Sequence, residues 1–178
     1  MTRILLLFLI SSQVCFGQSG SKKVEVMMDT SVNLYAFVGK RVSLTEYDPN
    51  ADYNKPLRVE VDSTTGATSV YRRSYIMDHA FDAKYIVMRP VFNDLKTDTV
   101  AFKAFDHYGQ PAFEKYDYVL LYLSKSDSGN YYFHQKYSFD PLKKKKNGSY
   151  VGEKGKSLRR LFNIKKNTVF KARGLFRS

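Results

Sequence analysis

Four stretches in the second half of the chain constrain the fold more than any other feature. Ala80 to Phe92, Thr99 to Asp106, Tyr116 to Lys125 and Asn130 to Asp140 are dense in β-branched, aromatic and leucine residues. Asn93-Asp94-Leu95-Lys96 and Ser126-Asp127-Ser128-Gly129 punctuate them with turn chemistry. Each run is about eight to thirteen residues, the length of a strand rather than of a long helix. Successive strands at this spacing predict an all-β, mainly antiparallel domain, built as a small OB-like barrel or a sandwich.

Upstream, Val32 to Val38 and Val42 to Tyr47 flank Gly39-Lys40-Arg41, which reads as a hairpin. Asp48 to Pro56 is a surface loop by composition, Arg58 to Asp62 a short strand, and Ser63 to Ser69 a polar connector. Side chains alternate across a strand, so parity sorts the faces. From Asn130, it places Tyr131, Phe133, Tyr137 and Phe139 toward the core and His134 on the polar side. The run from Tyr116 is apolar at both parities, which predicts a central strand covered on both faces.

The order of a strand pair, "AKYIVMRPVF", "TDTVAFKAF", a Pro-Ala-Phe loop, "YVLLYL" and a Gly-turn hairpin resembles the OB-type barrel of netrin-like domains. The resemblance spans residues 32 to 140 and implies a barrel. The cysteines of that family are missing, including the one that carries protease inhibition, so no inhibitory activity is implied.

The N-terminus predicts the compartment. A positive start at Met1-Thr2-Arg3, an apolar run from Ile4 to Ile10 and a more polar exit form the layout of a secretory signal peptide. It resembles Gram-negative bacterial export signals. Small residues at Cys15 and Gly17 place cleavage before Gln18, giving a periplasmic or secreted product. Cys15 is the only cysteine; Val14 before it disfavours lipid attachment, so it leaves with the signal. The mature chain would then hold no disulfide and no thiolate. The expected organisation is signal peptide 1–17, polar leader 18–31, β-domain 32–153 and basic amphipathic tail 154–178.

Charge is the most asymmetric property. The chain carries +12, yet Gln18 to Pro141 holds 15 basic and 16 acidic residues. Leu142 to Ser178 holds 13 basic residues and one acid, Glu153, so the excess sits there. Lys143 to Lys146 precede Asn147-Gly148-Ser149 and read as a hairpin tip. Leu158, Leu161 and Phe162 fall at i, i+3 and i+4, the pattern of a short amphipathic helix near the C-terminus. Lys156, Arg159, Arg160, Lys165, Lys166, Lys171 and Arg173 surround that stripe. With the lysine run they are the expected contact for an anionic surface, either lipid headgroups or acidic polysaccharide, or for an envelope protein. The competing expectation is that the stripe packs on the β-domain and the cations are merely solvated. Nucleic acid is disfavoured by the export signal.

Motifs for chemistry are thin. His79, His107 and His134 lack the close spacing of a metal site, so no metal or cofactor is expected. Asp78-His79 and Asp106-His107 are sequence neighbours, and neighbours on a strand point to opposite faces, a poor geometry for an Asp orienting its own His. Gly155-Lys156-Ser157 resembles the end of a phosphate loop, but Tyr150 stands where that loop needs glycine, and Ser157 reads instead as a helix cap. No nucleophile motif is present. His107, Tyr108, His134 and Tyr132 are the candidate ligand-site residues beside the Asp106–Gly109 turn. The function expected is an exported, non-catalytic β-domain that binds through its basic C-terminal region. A histidine-based secreted hydrolase and a structural subunit of an envelope complex stay open as alternatives.

Overall fold

The computed structural model describes residues 26–176. The predicted signal peptide lies outside the described residues. The strands are β1 (Tyr35–Tyr47), β2 (Arg58–Val61), β3 (Thr68–Tyr71), β4 (His79–Phe92), β5 (Thr99–Asp106), β6 (Tyr118–Lys125), β7 (Tyr132–Lys144) and β8 (Tyr150–Val151). Five of them close a ring in the order β1-β4-β5-β7-β6, returning to β1. Every joint is antiparallel except β5–β7, which is parallel and spans two residue pairs, Phe102 with Tyr132 and Lys103 with Phe133. The all-β expectation holds, and the ring decides for a barrel over a sandwich.

Two apolar clusters follow from strand alternation. Phe37, Tyr85, Phe102, Phe113, Leu121 and Leu123 belong to one that fills the ring. Ala36, Val38, Leu120 and Tyr122 point the other way, into a second cluster with Phe92, Leu158, Leu161, Phe162 and Phe170. β6 therefore feeds both clusters, as its apolar parity predicts. Small barrels fill with side chains, and this interior is packed rather than open.

β1 departs from the expected hairpin. Gly39-Lys40-Arg41 lies inside one continuous strand, with register shifts between Val38 and Gly39 and between Arg41 and Ser43. Gly39 is there for space: a Cβ would meet Tyr85 at 3.0 Å, Leu121 at 3.1 Å and Phe37 at 3.2 Å. Glycine and bulges let a long strand bend enough to serve two neighbours, β6 through residues 35–40 and β4 along most of its length.

A helix, α1 (Leu158–Lys165), starts at Ser157, whose Oγ accepts from the Arg160 amide at 3.3 Å, as the cap reading predicts. It continues as a π-turn over Lys166–Phe170. That extra residue has a use. At about 100° per residue, Phe170 would lie roughly 120° from Leu158 on a straight α-helix; one inserted residue brings it to about 20°. Phe170 thus rejoins the buried stripe and meets Tyr122 at 5.0 Å, while Phe162 stacks on Phe92 at 4.7 Å. Gly152 permits the approach, since a Cβ there would come within 2.6 Å of Leu161. The stripe packs on the outer side of the barrel, as the competing expectation had it, so the segment from residue 158 helps build the second apolar cluster rather than the ring interior. Among the described residues no helix is long and apolar enough to cross a membrane.

Candidate functional site

The cations after β7 fall into two groups. Lys143 and Lys144 end β7, and Lys145 and Lys146 occupy the turn to β8, closed by Lys145 N–H to Ser149 O (2.8 Å) and Gly148 N–H to Lys145 O (2.9 Å). All four are exposed, as are Arg159, Arg160 and Lys171 on the outer side of the helical segment. The second group has structural employment. Lys165 lies 3.9 Å from Asp140. The half-buried Lys166 lies over the ring of Phe176, 4.8 Å from its centroid, and Lys156 is also half-buried. Arg173 donates from Nη1 to Gln135 Oε1 (2.9 Å) and from Nη2 to Lys136 O (2.7 Å).

Those Arg173 bonds hold a distortion in β7. Leu121 pairs with Phe139 and Leu123 with His134, so four residues of β7 oppose Tyr122 alone. Tyr137 sits in this bulge with φ of 62°, a left-handed conformation uncommon for a non-glycine residue. The bulge overturns the parity assignment. Tyr131 and Tyr137 are exposed, while His134, Gln135 and Ser138 are buried. Sequence alternation assumes an unbroken pleat, and one bulge reverses the faces beyond it.

His134 is accordingly no surface ligand. Its Nε2 bonds Ser138 O at 2.9 Å and its ring packs edge-on to Phe113 at 4.7 Å. Burial, with lesser contributions from Arg173 and Lys165 against the backbone bond, pushes it down to about 4. Tyr132 also stands apart, packed edge-on against Tyr35 at 5.4 Å with the Lys125 ammonium over its ring. It lies about five residues along the sheet from His107, roughly 16 Å at strand spacing.

His107 and Tyr108 do join a cluster, with partners that local sequence does not announce. His107 Nδ1 lies 3.4 Å from Asp78 Oδ1, and Lys136 Nζ lies 2.6 Å from the other oxygen of the same carboxylate. The Lys136 hydrogen bond chiefly holds Asp78 below the usual carboxylate range. Tyr108 faces Tyr137 at 6.2 Å, and the Tyr137 hydroxyl accepts from the His107 amide at 3.3 Å. Asp106 accepts instead from the Tyr108 amide at 2.9 Å, a turn role, and His79 pairs with Glu46 at 2.8 Å. Neither Asp-His neighbour pair therefore acts as a unit. Register explains the exchange: His79 stands opposite Asp106, so the two segments meet where β4 begins and β5 ends. The three histidines do not converge. Among the described residues no group of three His, Cys, Asp or Glu side chains is placed to hold a metal ion.

Sequence reasoning missed Asp140. Tyr122 donates to its Oδ2 at 2.7 Å, and burial raises its carboxyl against the pull of Tyr122, Lys165 and Lys156. A lone aspartate at the end of an apolar run was the only signal. No protein-family model, curated protein or solved structure matches the chain.

Proposed function

We propose that the chain is an exported, non-catalytic β-domain that meets an anionic envelope component or partner through its basic C-terminal region. One observation carries the reading. From Leu142 to Phe176, among the described residues, the single ion pair formed by a cation is Lys165 with Asp140. Lys143 to Lys146, Arg159 and Arg160 are exposed and have no carboxylate partner among the described residues. The buried stripe of Leu158, Leu161, Phe162 and Phe170 fixes the helix and so presents Arg159 and Arg160 outward on a rigid support. Unpaired surface cations attract anions over about a Debye length, ~10 Å at 0.1 M salt. Export, with cleavage before Gln18, belongs to the same proposal. So does the likeness to OB-type barrels, which a five-stranded ring supports.

The test is partition onto anionic vesicles and acidic polymers at low and high salt. Wild type is expected to bind at low salt and release at high salt. A variant with Lys143, Lys144, Lys145, Lys146, Arg159 and Arg160 all changed to Ser is expected to lose binding while keeping its Tm. Equal binding by that variant would sink the proposal.

A further inference from the structure

Beside the lysine hairpin runs a groove of about 970 Å³. Its lining brings Lys115, Tyr116, Tyr118, Lys143, Lys144 and Lys154 together from three separated segments. The first three belong to the turn before β6 and to its start, the next two to the end of β7, and Lys154 to the turn before α1. Asp117 and Glu153 share the lining. We infer that this groove binds an acidic polysaccharide, a sugar chain carrying carboxylate or sulfate groups among free hydroxyls. The inference rests on the reading of the basic region as a contact surface, and names its ligand.

Three features favour a sugar chain over a bilayer or a nucleic acid. The first is shape. A volume near the upper end of ordinary ligand sites, about 300–1,000 Å³, suits a linear chain, whereas a membrane presents a plane. The second is the aromatic floor. Tyr116 is exposed, and Tyr118, backed by Tyr150 at 5.2 Å, lies under the Lys144 ammonium, 5.9 Å from its ring centroid. A tyrosine offers an apolar face and a polar tip, which matches the alternating C–H faces and hydroxyls of a pyranose. The third is the mixture of signs. Asp117 and Glu153 would repel a row of phosphates, but as ionised carboxylates they accept hydrogen bonds from hydroxyls. Lysines supply compact, strongly hydrated charges for the acidic substituents.

Lys154 adds a detail of construction. It stands at φ 54°, beside Gly155 at φ 71°, so the turn holds a bulky residue in the left-handed region. The turn closes through Gly152 N–H to Lys156 O at 2.9 Å and Gly155 N–H to Gly152 O at 3.1 Å. This leaves Lys154 exposed at the groove while Gly152 keeps the helix close.

The experiment measures binding of the full mature chain to polygalacturonate and chondroitin sulfate, with neutral dextran and phosphatidylglycerol vesicles alongside. The variants are Tyr116→Ala, the pair Lys115→Ser with Lys154→Asn, and the pair Arg159→Ser with Arg160→Ser. Asn suits the left-handed position, and the lysines are exposed, so these substitutions spare the fold; Tm verifies it. Expected is binding to at least one acidic polymer and none to dextran. Tyr116→Ala and the lysine pair each weaken it about tenfold, or ~1.4 kcal/mol, and the arginine pair by less than about twofold. Polymer binding that the groove variants leave intact and the arginine pair abolishes would overturn the groove while the basic-surface reading stands. Binding to vesicles alone would overturn the sugar in the same way. Binding to none of these at low salt would end both the sugar inference and the reading of the basic region as a contact for anionic lipid or polysaccharide.

Discussion

Leu57, Val59, Val61 and Val70, on the arm between β1 and β4, are between 45% and 64% exposed, whereas Leu158, Leu161, Phe162 and Phe170 after β7 are all at 7% or below. Both segments are excursions from the same barrel. The arm pairs β2 with β3 and sets Val59 opposite Val70, so its valines share a face. Its other face carries an Arg58–Glu60 ion pair, with the Tyr71 hydroxyl donating to Glu60 at 3.0 Å. The arm is clasped at its root, where Asn50 exchanges two 2.8 Å bonds with the Ile76 backbone. The later segment folds back and uses its apolar stripe as core. Amphipathic pattern alone does not say which of these happens. A short helical segment with a four-residue apolar stripe must bury it or stay unfolded, because short isolated helices are marginal in water. A hairpin has cross-strand hydrogen bonds of its own and can persist half-packed, though only marginally.

The largest effects should come from cutting the packed excursion. Phe162→Ala or Phe170→Ala removes a side chain with no room to collapse, and the expected loss is about 3–5 kcal/mol of unfolding free energy by denaturant titration. A loss below about 1 kcal/mol would mean that the helix is an appendage like the arm.

The second prediction uses pH. His134 is buried inside the ring against Phe113, and that burial, with Arg173 and Lys165 adding to it, holds it at about 4, below the ordinary histidine value of 6.5. Below the unfolded value the unfolded chain takes a proton that the folded chain refuses, so stability falls as pH drops from about 6.5 toward 4. The expected loss is about 3 kcal/mol across that window. Asp140 acts in the opposite sense: burial raises its carboxyl, so its protonation favours the fold as pH falls. His134→Gln should flatten the profile above pH 4. An unchanged slope would assign the acid sensitivity elsewhere.

Next in size is the clamp on β7. Arg173→Ala frees Gln135 Oε1 and Lys136 O and leaves the bulge held mainly by Gln135 Nε2 to Ser124 Oγ (2.7 Å) and His134 to Ser138. The expected loss is about 1–3 kcal/mol. Because the bulge places Tyr137 against Tyr108 and Lys136 against Asp78, amide resonances of His107 and Tyr108 should shift as well. No shift there would show that the C-terminal segment and the β5 end are independent.

How much of this was legible in the sequence differs between the same two regions. Leu158, Leu161, Phe162 and the Ser157 cap are local signals, and they located the helix. The return of Phe170 to the stripe needs a π-turn, which no spacing rule announces. On the arm, the strand read over Arg58 to Asp62 is β2, but the polar connector read over Ser63 to Ser69 runs into β3, where Thr68 and Ser69 are strand because of their partners rather than their composition. Gly39 illustrates the limit: beside Lys40 and Arg41 it signals a turn, and only the rings of Phe37 on its own strand and Tyr85 on the neighbouring β4 reveal that it is a space-saver. The candidate site divides likewise. The charge run was visible by counting, whereas the Asp78–His107–Lys136 group joins the start of β4, the end of β5 and the bulge of β7, and depends on register.

The smallest effect belongs to the arm and completes the contrast. Val59→Ser with Val61→Ser trades apolar surface that is already wet, so little transfer free energy is at stake. Lower β-propensity and loss of the Val59–Val70 pair act against the hairpin by a few tenths of a kcal/mol each. Global stability should change by no more than about 0.5 kcal/mol, as for surface positions generally. Local hydrogen exchange is the sharper probe: amides of residues 58–71 should lose protection while those of β6 keep theirs. If the double variant instead lowered the global Tm by several degrees, the arm's valines would be supporting the barrel, and the two excursions would differ in degree rather than in kind.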